Sequence, residues 1–139
     1  MMNRSLAGKR VLITQADVFM GPVLCEVFSG HGATVIASTE SLLSAGAPAA
    51  IVAEAGHIDI LIANLAIAAP TTAATEASEG EWNDIFAALV YPLARLFRAV
   101  LPAMIERRAG KILVMGSASA LRGMKRASTF SCSTGRQRC

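Results

Sequence analysis

The sequence predicts an α/β fold with a doubly wound parallel sheet, and three observations lead to that prediction. Short apolar, β-branched runs alternate along the chain with longer segments of helical periodicity. Glycine residues close several of these segments. The chain has 139 residues, of which 53% are hydrophobic, so it can enclose one core. Strands that alternate with helices pair in parallel through right-handed crossovers, which places helices on both faces of the sheet.

The first half of the chain predicts two strands, each followed by a helix. Arg10 to Thr14 (RVLIT) is a short β-branched run typical of a buried parallel strand. Gly21 to Gly32 carries apolar residues at helical spacing, and its last glycines end the helix. Thr34 to Ala37 (TVIA) predicts a second strand. Ala47 to Ala55 predicts a short helix that is closed by Gly56.

The second half repeats this alternation with a longer helix. Asp59 to Ala63 (DILIA) predicts a third strand, and Ile67 to Gly80 is a loop rich in Thr and Ala. One long helix is expected from about Glu79 to Arg108, because apolar residues recur there at helical spacing. Ile112 to Met115 (ILVM) predicts the fourth strand, and the turn Gly116 to Ser119 follows it.

Composition and charge exclude several classes of protein. The mean hydropathy of +0.48 excludes a disordered chain. The three cysteines are an odd number without metal-ligand spacing, so neither a disulfide framework nor a metal site is expected. The N-terminal residues before Lys9 lack an apolar stretch of signal-peptide length, so a cytoplasmic location is expected.

Two further segments are candidate binding sites, an apolar run for a membrane and a basic segment for a nucleic acid, and neither partner is expected. The apolar run from Ile85 to Ile105 is interrupted by Arg95 and Arg98, and a central Arg costs roughly 2.5–3.5 kcal/mol on insertion into a membrane. This run predicts a buried or interface helix. From Arg107 onward the chain has eight Lys or Arg residues and no acidic one. The basic segment lacks interleaved aromatic residues, so nucleic-acid binding is not expected.

A ligand site is expected where the carboxyl ends of the parallel strands meet. Three segments lie there, namely Thr14 to Gly21, Ala63 to Ile67 and Gly116 to Ala120. This is the site of a Rossmann-type sheet, where ligands bind outside the carboxyl ends of the strands. The order and spacing of the three segments resemble the short-chain dehydrogenase/reductase superfamily, over nearly the whole chain from Leu6 to Phe130.

The first motif of that superfamily is a glycine-rich turn, T-G-x-x-x-G-x-G, which lets the backbone approach the pyrophosphate of NAD(P). Only Thr14 and Gly21 match it, since Gln15 and Phe19 stand where the superfamily has glycine. Asp17 adds a carboxylate close to where the phosphates would lie, which is unfavourable. No cofactor is therefore favoured, and NAD(P) stays an alternative.

The other motifs are also altered. N-N-A-G after the third strand reads Ala63-Asn64-Leu65-Ala66, so one asparagine is retained. The superfamily's helix asparagine falls at Leu89. Ser117 stands at the position of the catalytic serine, whereas Y-x-x-x-K falls at Phe130 to Thr134 and has neither the tyrosine nor the lysine.

This pattern resembles one branch, the halohydrin dehalogenases, and the stretches LAGKRVLIT and AGHIDILIAN resemble its B-type members. The branch converts a vicinal haloalcohol to an epoxide and a halide without nicotinamide, through Ser and a Y-x-x-x-R pair. The resemblance implies that Phe19 lines a halide pocket, that Ser117 orients a small-molecule substrate and that Phe130 replaces the base. It also implies a homotetramer formed through helix 79–108.

Each of these residues also has an ordinary structural explanation. Phe19 could pack at a helix start, Ser117 could be hydrogen-bonded at a strand end, and Asn64 could satisfy backbone groups. Neither His31 nor His57 has a visible acid–base partner in the sequence. Two other functions stay open, an NAD(P)-dependent oxidoreductase acting on a small alcohol or carbonyl, and a non-catalytic partner subunit.

The last residues depart from the family pattern. Members of the superfamily continue with more strands and helices, so the sheet is expected to be incomplete here. Residues 1–130 are interpreted as a partial Rossmann domain and residues 131–139 as an aberrant tail. Deleting one base in the codon of Cys132 can restore F-S-A-A-R-A-G, so we hypothesise a frameshift after Phe130. A chain without the tyrosine and the arginine is expected to be inactive.

Overall fold

The structure is a computed structural model and describes residues 5–122 and 124–136. Its four strands form one parallel sheet in the order β2-β1-β3-β4. This confirms the predicted α/β fold. The strands are β1 Arg10–Ile13, β2 Thr34–Ala37, β3 Ile60–Ala63 and β4 Lys111–Val114. The helices are α1 Gly21–Gly30, α2 Ala47–Ala55, α3 Glu79–Leu89, α4 Tyr91–Glu106 and α5 Ser128–Arg136.

Hydrophobic cores lie on both faces of the sheet. Successive side chains of a strand point to opposite faces, so β1 and β3 contribute to both cores. On one face, Leu12 and Leu61 pack with Leu96 and the other buried residues of α2, α3 and α4. On the other face, Ile13 and Ile62 pack against α1. The central strands read as continuous apolar runs because both of their faces are buried.

The expected long helix from Glu79 to Arg108 is wrong in one respect. It is divided into α3 and α4 at Val90, whose backbone φ of −108° departs from the helical value. Pro92 explains the break, because proline has no N–H to donate and crowds the residues before it. The second helix ends at Glu106, and Arg107 caps it.

The two helices together are long and apolar enough to cross a membrane by length and composition alone. The segment Glu79–Glu106 has a mean hydropathy of 1.5 in its most apolar window, and 33% of that window is buried inside the protein. Its buried residues, among them Ile85, Leu89 and Leu96, belong to the core. The expectation that it lies outside a membrane stays a prediction.

Helix α5 runs through the position where the aberrant tail was expected to begin. Ser133 and Thr134, which lie beyond Phe130, are buried in it. The last three residues, 137–139, lie outside the described part of the chain. A change of reading frame is a property of the coding DNA, and the boundary at residue 130 stays a prediction.

Candidate functional site

The turn after β1 contains two residues with positive φ, a conformation usually adopted by glycine, although neither residue is glycine. Gln15 has φ 45° and Phe19 has φ 53°, both in the left-handed region that favours glycine. These are the two positions at which the sequence departs from the glycine-rich motif. The surrounding contacts must therefore hold the turn in this conformation, since each such residue costs roughly 1–2 kcal/mol.

Asn64 supplies those contacts from the end of β3. Its Nδ2 donates to the carbonyl oxygens of Gln15, at 2.9 Å, and of Val18, at 3.0 Å. The Oε1 atom of Gln15 accepts from the backbone N–H of Ala66 at 2.6 Å, and the buried Thr14 hydroxyl donates to the carbonyl oxygen of Asn64 at 3.2 Å. The turn and the end of β3 are thus hydrogen-bonded in both directions.

Gly21 has a packing role at the same place. It is buried at the start of α1, and a Cβ atom there would lie 2.5 Å from the backbone of Ala16. Only glycine fits this approach of helix to turn. Thr14, Gly21 and Asn64 hold the turn against the end of β3. That they border a cofactor or halide pocket stays a prediction.

A small cavity of about 90 Å³ lies at the carboxyl end of the sheet. It brings together three residues that the sequence analysis singled out, Phe19, Ser117 and Phe130. Every described residue that lines it is uncharged and most are apolar. The lining residues are Phe19, Leu65, Ala66, Ile67, Leu89, Met115, Gly116, Ser117, Phe130 and Thr134.

A chain of hydroxyl groups leads from this cavity into helix α5. The Ser119 side chain donates to Ser117 Oγ at 2.9 Å, and the Ser119 backbone N–H also donates to it at 3.2 Å. Ser119 Oγ and Thr134 Oγ1 are 3.3 Å apart. The Thr134 hydroxyl donates to the carbonyl oxygen of Phe130 at 2.9 Å. Ser117 is therefore the end of a hydrogen-bonded chain that reaches the cavity.

Two hydrogen bonds, one from α5 and one from the residue Arg126 before it, connect this region to other parts of the chain. The buried Thr129 hydroxyl donates to Glu81 Oε1 at 2.7 Å, which joins α5 to α3. Arg126, just before α5, donates from Nε to the carbonyl oxygen of Thr71 at 3.0 Å. Helix α5 packs on α3 and on the turn after β4, which contains Ser119.

A larger open groove of about 390 Å³ borders the cavity and shares Ala66 and Ile67 with it. Gln15 and Ser41 supply polar groups to this groove, and Asp84 supplies a carboxylate. In a Rossmann-type sheet, a nucleotide would lie along this edge.

The family model described as "short chain dehydrogenase" matches residues 39–135. The chain belongs to the short-chain dehydrogenase family. The "3-oxoacyl-[acyl-carrier-protein] reductase FabG" of Salmonella typhimurium is 30% identical over an alignment 138 residues long. The match covers 81% of this chain and 56% of that protein. This chain therefore spans little more than half the length of that curated relative.

Two solved structures share the fold. One described as "Dehalogenation enzyme" is 27% identical, with a TM-score of 0.87, and the match covers 99% of this chain and 64% of that one. A 3-oxoacyl (acyl-carrier-protein) reductase from Agrobacterium tumefaciens C58, solved with NADP bound, is 20% identical with a TM-score of 0.84. That match covers 96% of this chain and 62% of the other, and it shows the fold alone.

This member of the short-chain dehydrogenase family departs from the family pattern in the groups that would hold a pyrophosphate. The Gly21 N–H at the start of α1 donates to the carbonyl oxygen of Val18 at 2.9 Å, and the next residue, Pro22, has no N–H. The exposed Asp17 places a carboxylate in the same turn. A helix N-terminus binds phosphate through free N–H groups, so this turn does not fit the group as the glycine-rich turn does.

The sequence placed Ser119 in a site segment and Thr134 at the position of the family's lysine, but it assigned neither side chain a role. Ser119 lies two residues after Ser117, but no motif marks it, and Thr134 joins it only because α5 packs against the turn after β4. The sequence also contains a second Y-x-x-x-R-like spacing, with Cys132 in place of the tyrosine and Arg136 four residues later. Cys132 is exposed, whereas Phe130 lines the cavity.

The expectation that His57 has no acid–base partner is wrong. Its Nε2 lies 3.1 Å from Asp59 Oδ1 at the opposite end of the sheet from the cavity. The backbone N–H of Arg10 donates to the other oxygen of Asp59 at 2.8 Å. This hydrogen bond, together with the nearby His57, lowers the pKa of the Asp59 carboxyl. The contact between Asp59 and Arg10 joins the loop before β3 to the start of β1.

Within residues 5–122 and 124–136, no group of three or more His, Cys, Asp or Glu side chains could hold a metal ion. The described cysteines, Cys25 and Cys132, are free, and burial raises the pKa of the Cys25 thiol. Cys139 lies outside the described residues.

Proposed function

We propose that this chain carries a halohydrin dehalogenase-type site, which takes a small haloalcohol or its epoxide without a dinucleotide. A single observation carries the proposal. Phe19, Ser117 and Phe130 line one small, uncharged cavity at the carboxyl end of the sheet. Phe19 replaces a turn glycine there, so an aromatic side chain borders the space beside Ser117.

The size and chemistry of the cavity support a small ligand. Its volume of about 90 Å³ is below the roughly 150 Å³ of a dry cavity that binds benzene. A molecule such as 1-chloro-2-propanol or propylene oxide is of suitable size. Ser117 offers its hydroxyl to the ligand oxygen, while the apolar walls and the ring of Phe19 face the halogen-bearing carbon.

The proposed chemistry also explains why this chain is expected to be inactive. Closure of the epoxide needs a base to take the hydroxyl proton, after which the alkoxide forms the new C–O bond and the C–halogen bond breaks. Phe130 has no ionisable group at the position of the family's tyrosine. Thr134 stands four residues later, where a cation would favour the tyrosinate. The site can bind and orient a ligand, but none of the described residues that line the cavity carries an ionisable group to remove the proton.

A second function, NAD(P)-dependent reduction of a small carbonyl, is favoured by the FabG relatives at 30% identity and by the groove beside the cavity. Calorimetric titration separates the two functions. We expect bromide and propylene oxide to bind, and NADH and NADPH to give no saturable heat. Saturable binding of either nucleotide would replace the first proposal by the second.

The exposed face of α4 supports a further proposal, that copies of this chain associate through the helical region 79–108. Tyr91, Leu101 and Ile105 lie on that face, and Ile105 is 68% exposed. The family resemblance implies a homotetramer, whereas a non-catalytic subunit would use the same face for a longer relative. Sedimentation of the chain alone, and co-purification with a full-length relative, distinguish these arrangements. The proposal includes a cytoplasmic location and no nucleic-acid or membrane partner.

We further propose that the segment after Phe130 is read out of frame. Sequencing the coding DNA through and beyond this region tests the idea. A frame that encodes A-A-R-A-G after removal of one base would support it, whereas the absence of such a frame would reject it.

A further inference from the structure

We propose that Ser119 is a positioning residue that directs the Ser117 proton into the cavity, so that the site selects ligands with an acceptor oxygen. The inference rests on the proposed function, because it takes the cavity at Ser117 as the ligand site. It goes further by naming the kind of oxygen that the site recognises and the buried residue that sets this preference.

Ser119 lies behind the cavity wall and makes its two shortest contacts there with Ser117. It is 4% exposed and lies in the short turn after β4, behind Ser117. Its backbone N–H and its hydroxyl both donate to Ser117 Oγ, at 3.2 Å and 2.9 Å. A ligand in the cavity would contact Ser117 and leave Ser119 covered.

The count of donors and acceptors then fixes the role of Ser117. A serine hydroxyl has one proton and two lone pairs. Both lone pairs of Ser117 face donors from Ser119, so its proton is left to bond a group in the cavity. Ser117 therefore acts as a donor and favours epoxide, ether or carbonyl oxygens. An alcohol binds there only when its oxygen accepts the hydrogen bond from Ser117.

Thr134 lies beyond Ser119 in the same arrangement, with its Oγ1 3.3 Å from Ser119 Oγ. The single Thr134 proton is donated to the carbonyl oxygen of Phe130 at 2.9 Å, so Thr134 is not counted as a donor to Ser119. The Ser119 proton bonds the nearer oxygen, Ser117 Oγ, at 2.9 Å. At this family position a Lys or Arg would bring a charge, whereas Thr134 brings a neutral hydroxyl.

The test uses two inert ligands of the same shape, tetrahydrofuran and cyclopentane, which differ in the oxygen. Their affinities are measured by NMR titration for the wild-type chain and for Ser119→Ala, Ser117→Ala and the double variant. Losing the support of one hydrogen bond is expected to weaken tetrahydrofuran binding about 2- to 10-fold in Ser119→Ala. Cyclopentane binding should not change. In the Ser117→Ala background, Ser119→Ala should have no further effect.

Ser133→Ala is the matched control. Ser133 is a buried serine whose hydroxyl donates to the carbonyl oxygen of Phe130 at 2.9 Å, and this bond does not involve Ser117. Its replacement should leave tetrahydrofuran binding unchanged. If Ser119→Ala does not fold, Ser119→Cys replaces it, because the thiol keeps the side-chain shape but is a weak donor.

The outcomes separate this inference from the proposed function. Equal losses for both ligands in Ser119→Ala, or a loss that persists without Ser117, would overturn the inference and leave Ser119 a structural residue. Binding that depends on Ser117 but not on Ser119 would overturn the inference and keep the proposed site. No preference for tetrahydrofuran over cyclopentane in the wild-type chain would overturn both.

Discussion

The side-chain amide of Asn64 donates to the carbonyl oxygen of Gln15 at 2.9 Å, across 49 residues of sequence. Gln15 has a left-handed backbone, and the same amide also donates to Val18 at 3.0 Å. One asparagine at the end of β3 therefore holds a turn that has lost its usual glycines. This relationship accounts for the retained asparagine without assigning it a contact with ligand.

Replacing Asn64 by Leu should destabilise the protein by about 2–4 kcal/mol, because the two carbonyl oxygens lose donors in a buried place. The free energy of unfolding in urea measures this loss. Asn83→Leu on the exposed face of α3 is the control and should change stability by less than about 0.5 kcal/mol. Equal effects at both positions would show that Asn64 does not hold the turn.

Phe19→Gly should weaken bromide binding and leave stability unchanged or raised by about 1 kcal/mol. The aromatic ring that borders the cavity is lost, while glycine adopts the φ of 53° without strain. Titration with bromide and thermal denaturation measure the two effects. Val18→Ala, at an exposed neighbour in the same turn, should change neither. Unchanged bromide binding in Phe19→Gly would contradict the proposed halide contact.

Phe130→Tyr should place a phenol in the cavity with a pKa above its ordinary value of about 10, because burial among uncharged groups disfavours the anion. The same substitution at the exposed Cys132 should titrate close to the ordinary value. Difference absorbance of tyrosinate against pH, corrected for the native Tyr91, measures both. A phenol at position 130 with a pKa no higher than that at position 132 would contradict the placement of residue 130 in an uncharged cavity.

The free energy of unfolding should decrease at acid pH, because Asp59 becomes protonated. Its pKa is lowered in the folded protein by the Arg10 N–H and by His57, from an ordinary 3.8. A lowered folded pKa means that the unfolded state binds its proton first, so the stabilisation is present above pH 3.8 and is lost as pH falls through the folded value. Asp59→Asn should reduce this acid dependence in unfolding measurements.

Glu106→Gln is the control for that experiment, since Glu106 is an exposed carboxylate at the end of α4. It should keep the acid dependence of the wild-type chain. An identical pH profile for Asp59→Asn and the wild type would show that the Arg10 contact does not stabilise the folded state.

The sequence by itself determined the α/β fold, the order of its elements and the altered family motifs. These features depend on local patterns, since β-branched runs such as RVLIT form buried strands and glycines end helices. The sequence could also have predicted the division of the long helix, because Pro92 has no N–H to donate. Strand and helix ends differed from expectation by one or two residues, where neighbouring strands decide the pairing.

Only the tertiary structure decided which of the marked residues share a cavity. Phe19, Ser117 and Phe130 meet there, whereas Thr14, Gly21 and Asn64 are not among the residues that line it. The hydroxyl chain from Ser117 through Ser119 to Thr134 and the His57–Asp59 pair were not expected from sequence. The physical reason is that a side chain's hydrogen-bond partners depend on how elements pack in space, and local periodicity reports only which face of an element is buried.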